Sequence, residues 1–267
     1  MRMYSDEDVE ALLDAWPRLR RRPGTSPHVC TLAGSFAFES TPKGLPCIAD
    51  TYTLRMDVPM GIPDALLRVF ELGGRLRCDP DDHVNSDGSL CLGSPLRLQL
   101  LQRECQGLVA FVEASVVPFL YAASWRAQGN KGYPFSALAH FGAGLIDDYS
   151  SIVGFQGHLP VAHALAALSL RRRVANKRPC PCGGGRRLGV CACLNGLNGL
   201  RRIAPRRLWK QAHSEFLVEN PLPKEKPRTP TIPNCPGLAS AISPSSCFGF
   251  YRKSGCPVPS LMCHYKT

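Results

Sequence analysis

A cysteine at position 91 closes the stretch HVNSDGSLCL, residues 83–92, with His83 eight residues and Asn85 six residues upstream of it. Asn85, Ser86, Asp87, Gly88 and Ser89 are all turn formers, so the stretch is expected to be a surface loop and not a ladder strand. A thiol in a turn can meet a large partner, and as thiolate it attacks carbonyl carbon, so Cys91 reads as an acyl-carrying nucleophile. An unperturbed thiol titrates near about 8.5, leaving only a few per cent as thiolate at neutral pH unless a positive charge or a donor assists. His83 is the candidate for that assistance, and His83, Asn85 or a loop N–H for donation to an oxyanion, a contribution worth roughly 3–4 kcal/mol in acyl transfer. The bland alternatives stay open: Cys91 as a small apolar residue packed under the loop, His83 as a brace, Asn85 as a turn holder. Asp79, Asp81, Asp82 and Asp87 likewise read either as a solvated loop or as groups that orient an incoming amine.

A second set of cysteines stands in CPCGGGRRLGVCAC, residues 180–193. Cys180 and Cys182 are one residue apart, eight residues follow, and then come Cys191 and Cys193; Gly183, Gly184 and Gly185 permit a tight turn between them. Four thiolates so spaced can close tetrahedrally on Zn2+. Such a site is structural, because a full four-cysteine shell leaves no position for substrate. The element is similar to the SEC-C motif, a small zinc-binding unit that opens Cys-Pro-Cys-Gly-x-Gly and keeps the eight-residue gap. It departs from that motif at Ala192, which separates the last two cysteines.

The Cys91 segment resembles the active site of ubiquitin-conjugating enzymes, in particular their prokaryotic members, where a His-x-Asn precedes Asp-Gly and Cys-Leu. Gly88, Ser89, Leu90, Cys91 and Leu92 carry the match. His83 stands where the family keeps an oxyanion-stabilising asparagine, and the family's proline is either replaced by Val84 or absent altogether. The resemblance implies an α+β ubiquitin-conjugating-like fold over about residues 1–155, with an N-terminal helix, an antiparallel meander, the cysteine loop and C-terminal helices. It further implies a thioester-forming transferase, carrying as cargo the C-terminus of a ubiquitin-like protein or of a cyclic-nucleotide synthase in antiphage defence, with or without a separate activating enzyme. No GxxxxGK[ST] and no strand-linked GxGxxG occurs, so the acyl group has to be activated elsewhere.

Composition frames these motifs. An apolar content of 44% over 267 residues is enough for a packed core. No run of about 18 apolar residues appears and the N-terminus turns acidic at once, which points to a cytoplasmic protein with no membrane partner. Thirteen cysteines without an export signal then read as apolar residues, metal ligands and one nucleophile, not as a disulfide framework. The net charge of +11 is unevenly divided: residues 1–148 hold 18 acids and 14 bases, whereas 149–214 hold no acid and 12 bases. A surface of that density attracts polyanions, with nucleic acid and an acidic protein face as candidates and a solvated linker as the bland reading.

The elements that must position the chemistry follow from periodicity. Ser5 caps a helix over residues 5–15, with Val9, Leu12, Leu13 and Trp16 on one face. Strands are expected at 29–38 and 48–58, the latter alternating Tyr52, Leu54, Met56 and Val58 with Thr51, Thr53, Arg55 and Asp57, and a third apolar run lies at 67–72. Leu108, Phe111, Val112, Ser115, Val116, Phe119 and Leu120 keep helical spacing over 107–127, with a kink expected at Pro118. Further helices are expected near 136–152 and 160–173. The domain reading is therefore 1–155 catalytic, 156–215 a basic helical segment with the cysteine cluster, and 216–267 a Pro/Ser/Cys-rich tail without fixed structure. The competing function is a non-catalytic binding module that uses the basic cysteine element to recognise nucleic acid or an acidic protein.

Overall fold

The computed structural model describes residues 3–24, 26–132, 134–135 and 141–222. It is an α+β protein that divides into two compact units, parting near residue 137.

In the first unit, α1 (Asp6–Ala15) starts in a capping box: Ser5 accepts from the Asp8 amide while the Asp8 carboxylate accepts from the Ser5 amide. Val9 and Leu12 are fully buried. Four strands follow as an antiparallel meander in chain order, β1 (Leu19–Arg22), β2 (Val29–Ser40), β3 (Ile48–Pro59) and β4 (Arg68–Glu71). β3 shows why: Tyr52, Leu54, Met56 and Val58 all point inward, while Thr51 and Thr53 stay exposed. Leu32 pairs with Met56 and Phe36 with Tyr52, so the apolar sets of β2 and β3 share a face. Trp16 stacks on Phe36 with ring centres 4.7 Å apart and donates to the Ala37 carbonyl, seating the end of α1 on the sheet.

β1, sequence LRRR, was not expected. Only Leu19 is buried, and a single inward residue leaves no alternation to read. Its approach to β2 depends on Gly34 opposite Leu19, because a Cβ there would overlap the Arg18 carbonyl oxygen.

After the cysteine segment come α2 (Pro95–Glu104) and α3 (Leu108–Ala127). α3 is long and apolar enough to cross a membrane by length and composition alone, with a mean hydropathy of 1.6, but half of it is buried inside the protein. Phe111, Val112, Val116, Leu120 and Tyr121 pack into the core of the first unit. Pro118 lies within this helix. Ser124 at its far end bonds both Tyr52 Oη, at 3.0 Å, and Asp50 Oδ2, at 2.6 Å, which fixes the helix across β3.

The second unit contains α4 (Phe141–Val153), α5 (His158–Ser169), the short α6 (Arg172–Ala175), α7 (Leu194–Ile203) and α8 (Arg206–Glu219). Helix α4 belongs here, since Tyr149 stacks on Phe216 of α8 at 5.6 Å; the boundary expected near 155 falls instead before this helix. Trp209, Phe216, Leu165 and Val161 are fully buried. Helix α8 also moves the expected start of the tail, because residues 216–219 are helical and Phe216 is a core residue. The remainder of the tail, from residue 223, lies outside the described residues.

Candidate functional site

The stretch carrying Cys91 is a hairpin docked on the sheet, not the open loop that its turn formers suggest. Val84 bridges Leu90, and the Asn85 amide donates to the Ser89 carbonyl while Gly88 donates back to the Asn85 carbonyl, both at 2.8 Å. The Leu90 amide donates to Val69 of β4 at 2.7 Å, so the hairpin extends the meander by one short limb. Asp87 locks the tip: its carboxylate accepts from the Ser89 amide and hydroxyl, at 2.9 and 2.6 Å, and pairs with Arg68 at 2.6 Å. These bonds, led by the Ser89 hydroxyl, hold the Asp87 carboxyl below its usual pKa. Phe70 lies beneath, with the Arg55 and Arg68 guanidiniums over its ring at 3.8 and 5.1 Å.

Cys91 leaves this hairpin half-buried, its amide donating to the His83 carbonyl at 2.8 Å. Burial raises its thiol pKa above the ordinary value, and a bond from the Gly93 amide opposes that in part. Gly93 and Ser94 then lead into α2, whose first turn is capped by the Ser94 hydroxyl accepting from the Arg97 amide at 3.2 Å, with Pro95 in the first turn. The thiol therefore sits between a pinned hairpin and a capped helix start.

The expected helpers are placed differently from each other. His83 takes a left-handed backbone, φ 53°, a conformation that costs a non-glycine residue about 1 kcal/mol and that lets its carbonyl meet the Cys91 amide. Asn85 is exposed and its side-chain amide donates to Ser89 Oγ at 3.0 Å, so it holds the turn. Cys78 donates its S–H to the Asn85 carbonyl at 3.2 Å and braces the same turn from outside. Of the nearby acids, Asp82 accepts from the Arg77 amide at 3.1 Å and pairs with Arg126, and Asp79 accepts from the Asp81 amide at 2.8 Å; both serve the loop itself. Sequence reasoning missed the Gly93 amide at the thiol and the clamp of Arg68, Phe70 and Asp87. Ser94-Pro95 was the available signal, since a cap residue followed by proline marks a helix start just after the cysteine.

The second cysteine set does converge. The thiol sulfurs of Cys180, Cys182, Cys191 and Cys193 all lie within 4.8 Å of one another, and Cys182 and Cys191 are 3.8 Å apart. Sulfurs bound tetrahedrally at about 2.3 Å from a metal stand about 3.8 Å from each other, so the cluster has the size of a metal shell. The backbone builds it from a bridge between Pro179 and Arg187, with Cys180 donating to Arg186 at 2.8 Å and Leu188 donating to Arg178 at 2.9 Å. Gly189 presses on Asn176 closely enough that a Cβ would crowd it, and Cys193 forms the N-cap of α7. Burial raises the thiols of Cys180 and Cys193, the latter to about 12, whereas bonds from the neighbouring cysteines hold the Cys191 thiol below its ordinary value, and a dication held there would bind the thiolate forms. The four cysteines could hold a metal ion.

No family model, no curated protein and no solved structure matches this chain.

Proposed function

We propose that Cys91 carries the C-terminal carboxyl of a partner protein as a thioester and passes it to an amine, on a ubiquitin-conjugating-like fold. The observation that carries this reading is the setting of the thiol: half-buried, at the foot of a hairpin pinned to β4 and just before the capped start of α2. The order of helix, four-stranded antiparallel meander, thiol and two helices supports the same fold.

The chemistry is two acyl transfers. Cys91 thiolate attacks an already activated carbonyl on the partner, a new C–S bond forms, and the previous carrier leaves with the electron pair. An amine then attacks the same carbon, the amide forms, the Cys91 thiolate leaves and the amine proton goes to a base. A raised thiol pKa suits the carrier role, because the thiolate is then a poorer leaving group and the thioester persists until an amine is positioned. Half-burial helps by limiting attack from water. In this reading the His83 imidazole assists the transfer, Asn85 keeps the turn, and the cargo is a ubiquitin-like protein or a cyclic-nucleotide synthase loaded by a separate activating enzyme. The four-cysteine cluster takes a structural Zn2+, held by Cys180, Cys182, Cys191 and Cys193, and contributes stability and no reaction step.

The test is denaturing electrophoresis of the protein with its cellular partners, with and without thiol reductant. A reductant-sensitive adduct is expected for the native chain, a reductant-stable oxyester for Cys91→Ser and none for Cys91→Ala. The same adduct on all three variants would rule out Cys91 as the carrier.

A further inference from the structure

The arginines of the second unit gather at one of its ends. Helices α5 and α8 pack along each other in opposite directions: His158, first in α5, bonds the carbonyl of Asn220, the C-cap of α8, at 2.8 Å. That pairing sets the last residues of α5 beside the first of α8. Arg171, Arg172 and Arg173, which follow α5, therefore share an end with Arg206 and Arg207, which open α8. Helix α7 finishes at the same place, because Arg201 donates to the Ala167 carbonyl, in the last turn of α5, at 3.0 Å, and Arg202 is its exposed neighbour.

No acid stands between residues 149 and 214 to offset these charges. Arg172 lies near enough to Arg201 to disfavour its charge, after burial, and the Arg201 Nε is buried with no hydrogen-bond partner. Like charges gathered at one end repel, and an anion placed over them would offset that repulsion. The first turn of α8 adds amide donors and the positive end of its dipole.

We propose that this arginine end binds the phosphate backbone of a nucleic-acid duplex. Guanidiniums take phosphate oxygens in pairs, and protein surfaces for nucleic acid are polar and strongly positive, whereas a protein partner needs an apolar centre. Among the described residues, Val174 and Val190, 42% and 65% exposed, are the large apolar side chains that face solvent on the segments next to these arginines, a small area for such a centre. Single strands are held largely by stacking on exposed aromatics, and among the described residues of this unit Tyr149, Trp209 and Phe216 are fully buried and Phe155 half-buried. A duplex presents phosphates at high linear density, and guanidiniums grip them without reading sequence. The proposal does not depend on thioester chemistry.

The experiment is fluorescence anisotropy of the full chain, on a Cys91→Ala background, with a labelled mixed-sequence DNA duplex of about 20 base pairs. With about four phosphates engaged, affinity should fall about 100-fold between 50 and 200 mM potassium chloride. Replacing Arg172, Arg202, Arg206 and Arg207 together by Gln should weaken binding at least 30-fold and flatten the salt slope, while Arg20→Gln with Arg22→Gln, exposed on β1, should change it less than threefold. Circular dichroism of the quadruple variant confirms that it is folded. Native affinity in that variant, a salt-insensitive complex, tighter binding of a matching single strand, or poly-glutamate displacing the duplex at equal charge would each overturn the proposal.

Discussion

Cys91 and His83 make separable demands, and each can be tested by one substitution. Because burial raises the Cys91 thiol pKa, its alkylation by iodoacetamide should accelerate with pH above the range of an ordinary cysteine and run slower at pH 8 than in urea-unfolded chain. An alkylation profile indistinguishable from that of the unfolded chain would mean the thiol is not held as described. At His83 the left-handed backbone suits glycine, so His83→Gly should leave stability within about 0.5 kcal/mol while acyl transfer slows about 10-fold or more if the imidazole acts on the reaction. An unchanged rate would reduce His83 to its carbonyl bond. Glu104 provides a third residue-scale test: burial raises its carboxyl to about 7, and it sits in the last turn of α2, where the helix dipole also disfavours negative charge. A carboxylate raised in the folded state weakens stability as pH rises from the unfolded value toward the folded one. Glu104→Gln should therefore stabilise the protein by about 1 kcal/mol at pH 8, after discounting for solvent screening, and by little at pH 4, as read from urea midpoints.

Among the elements, the hairpin that ends in Cys91 is held by bonds that sequence spacing does not announce. Asp87→Ala removes the two Ser89 bonds and the Arg68 pair; it should cost about 1–2 kcal/mol and speed Cys91 alkylation as the hairpin loosens, whereas alkylation at the native rate would mean the clamp does not position the thiol. Gly34→Ala tests the β1–β2 approach, where the added Cβ meets backbone that cannot turn aside: a loss of about 3 kcal/mol in denaturant unfolding is expected. These two sites also mark what the sequence made legible. α1 and β3 could be read because their buried residues repeat with a helix or strand period, and α3 because a continuous apolar surface runs along it. The four-cysteine cluster could be read because its geometry is set by neighbours within a few residues. α2 was hidden by Leu96, Leu98 and Leu100, whose alternation mimics a strand, and by Gln99 and Gln102, polar residues that are nonetheless buried. Those glutamines donate to the Asp64 and Ala65 carbonyls at 3.2 Å, partners more than thirty positions away, and burial of that kind follows from tertiary contact alone. The hairpin was misread for the same reason: its turn residues are local, but the Leu90 bond to Val69 is not.

For the whole molecule, the division into two units predicts two separable responses. Zinc removal by a chelator should open the second unit around residues 176–203, seen as loss of hydrogen-exchange protection there, while the first unit keeps its protection; elemental analysis should find about one zinc per chain. Protein purified without metal yet fully protected in that region would contradict the site. Charge also differs between the two units: residues 1–137 hold 16 acids and 14 bases, whereas residues 138–222 hold four acids and 12 bases. The proposed thioester places covalent capture at one sulfur, that of Cys91. The most direct measurement is mass spectrometry of the protein taken from cells into acid without reductant, followed by peptide mapping. A hydroxylamine-labile acyl mass that ends in a protein C-terminus is expected on the Cys91 peptide. An unmodified Cys91 peptide, with the same adduct found on another cysteine or in Cys91→Ala protein, would contradict it.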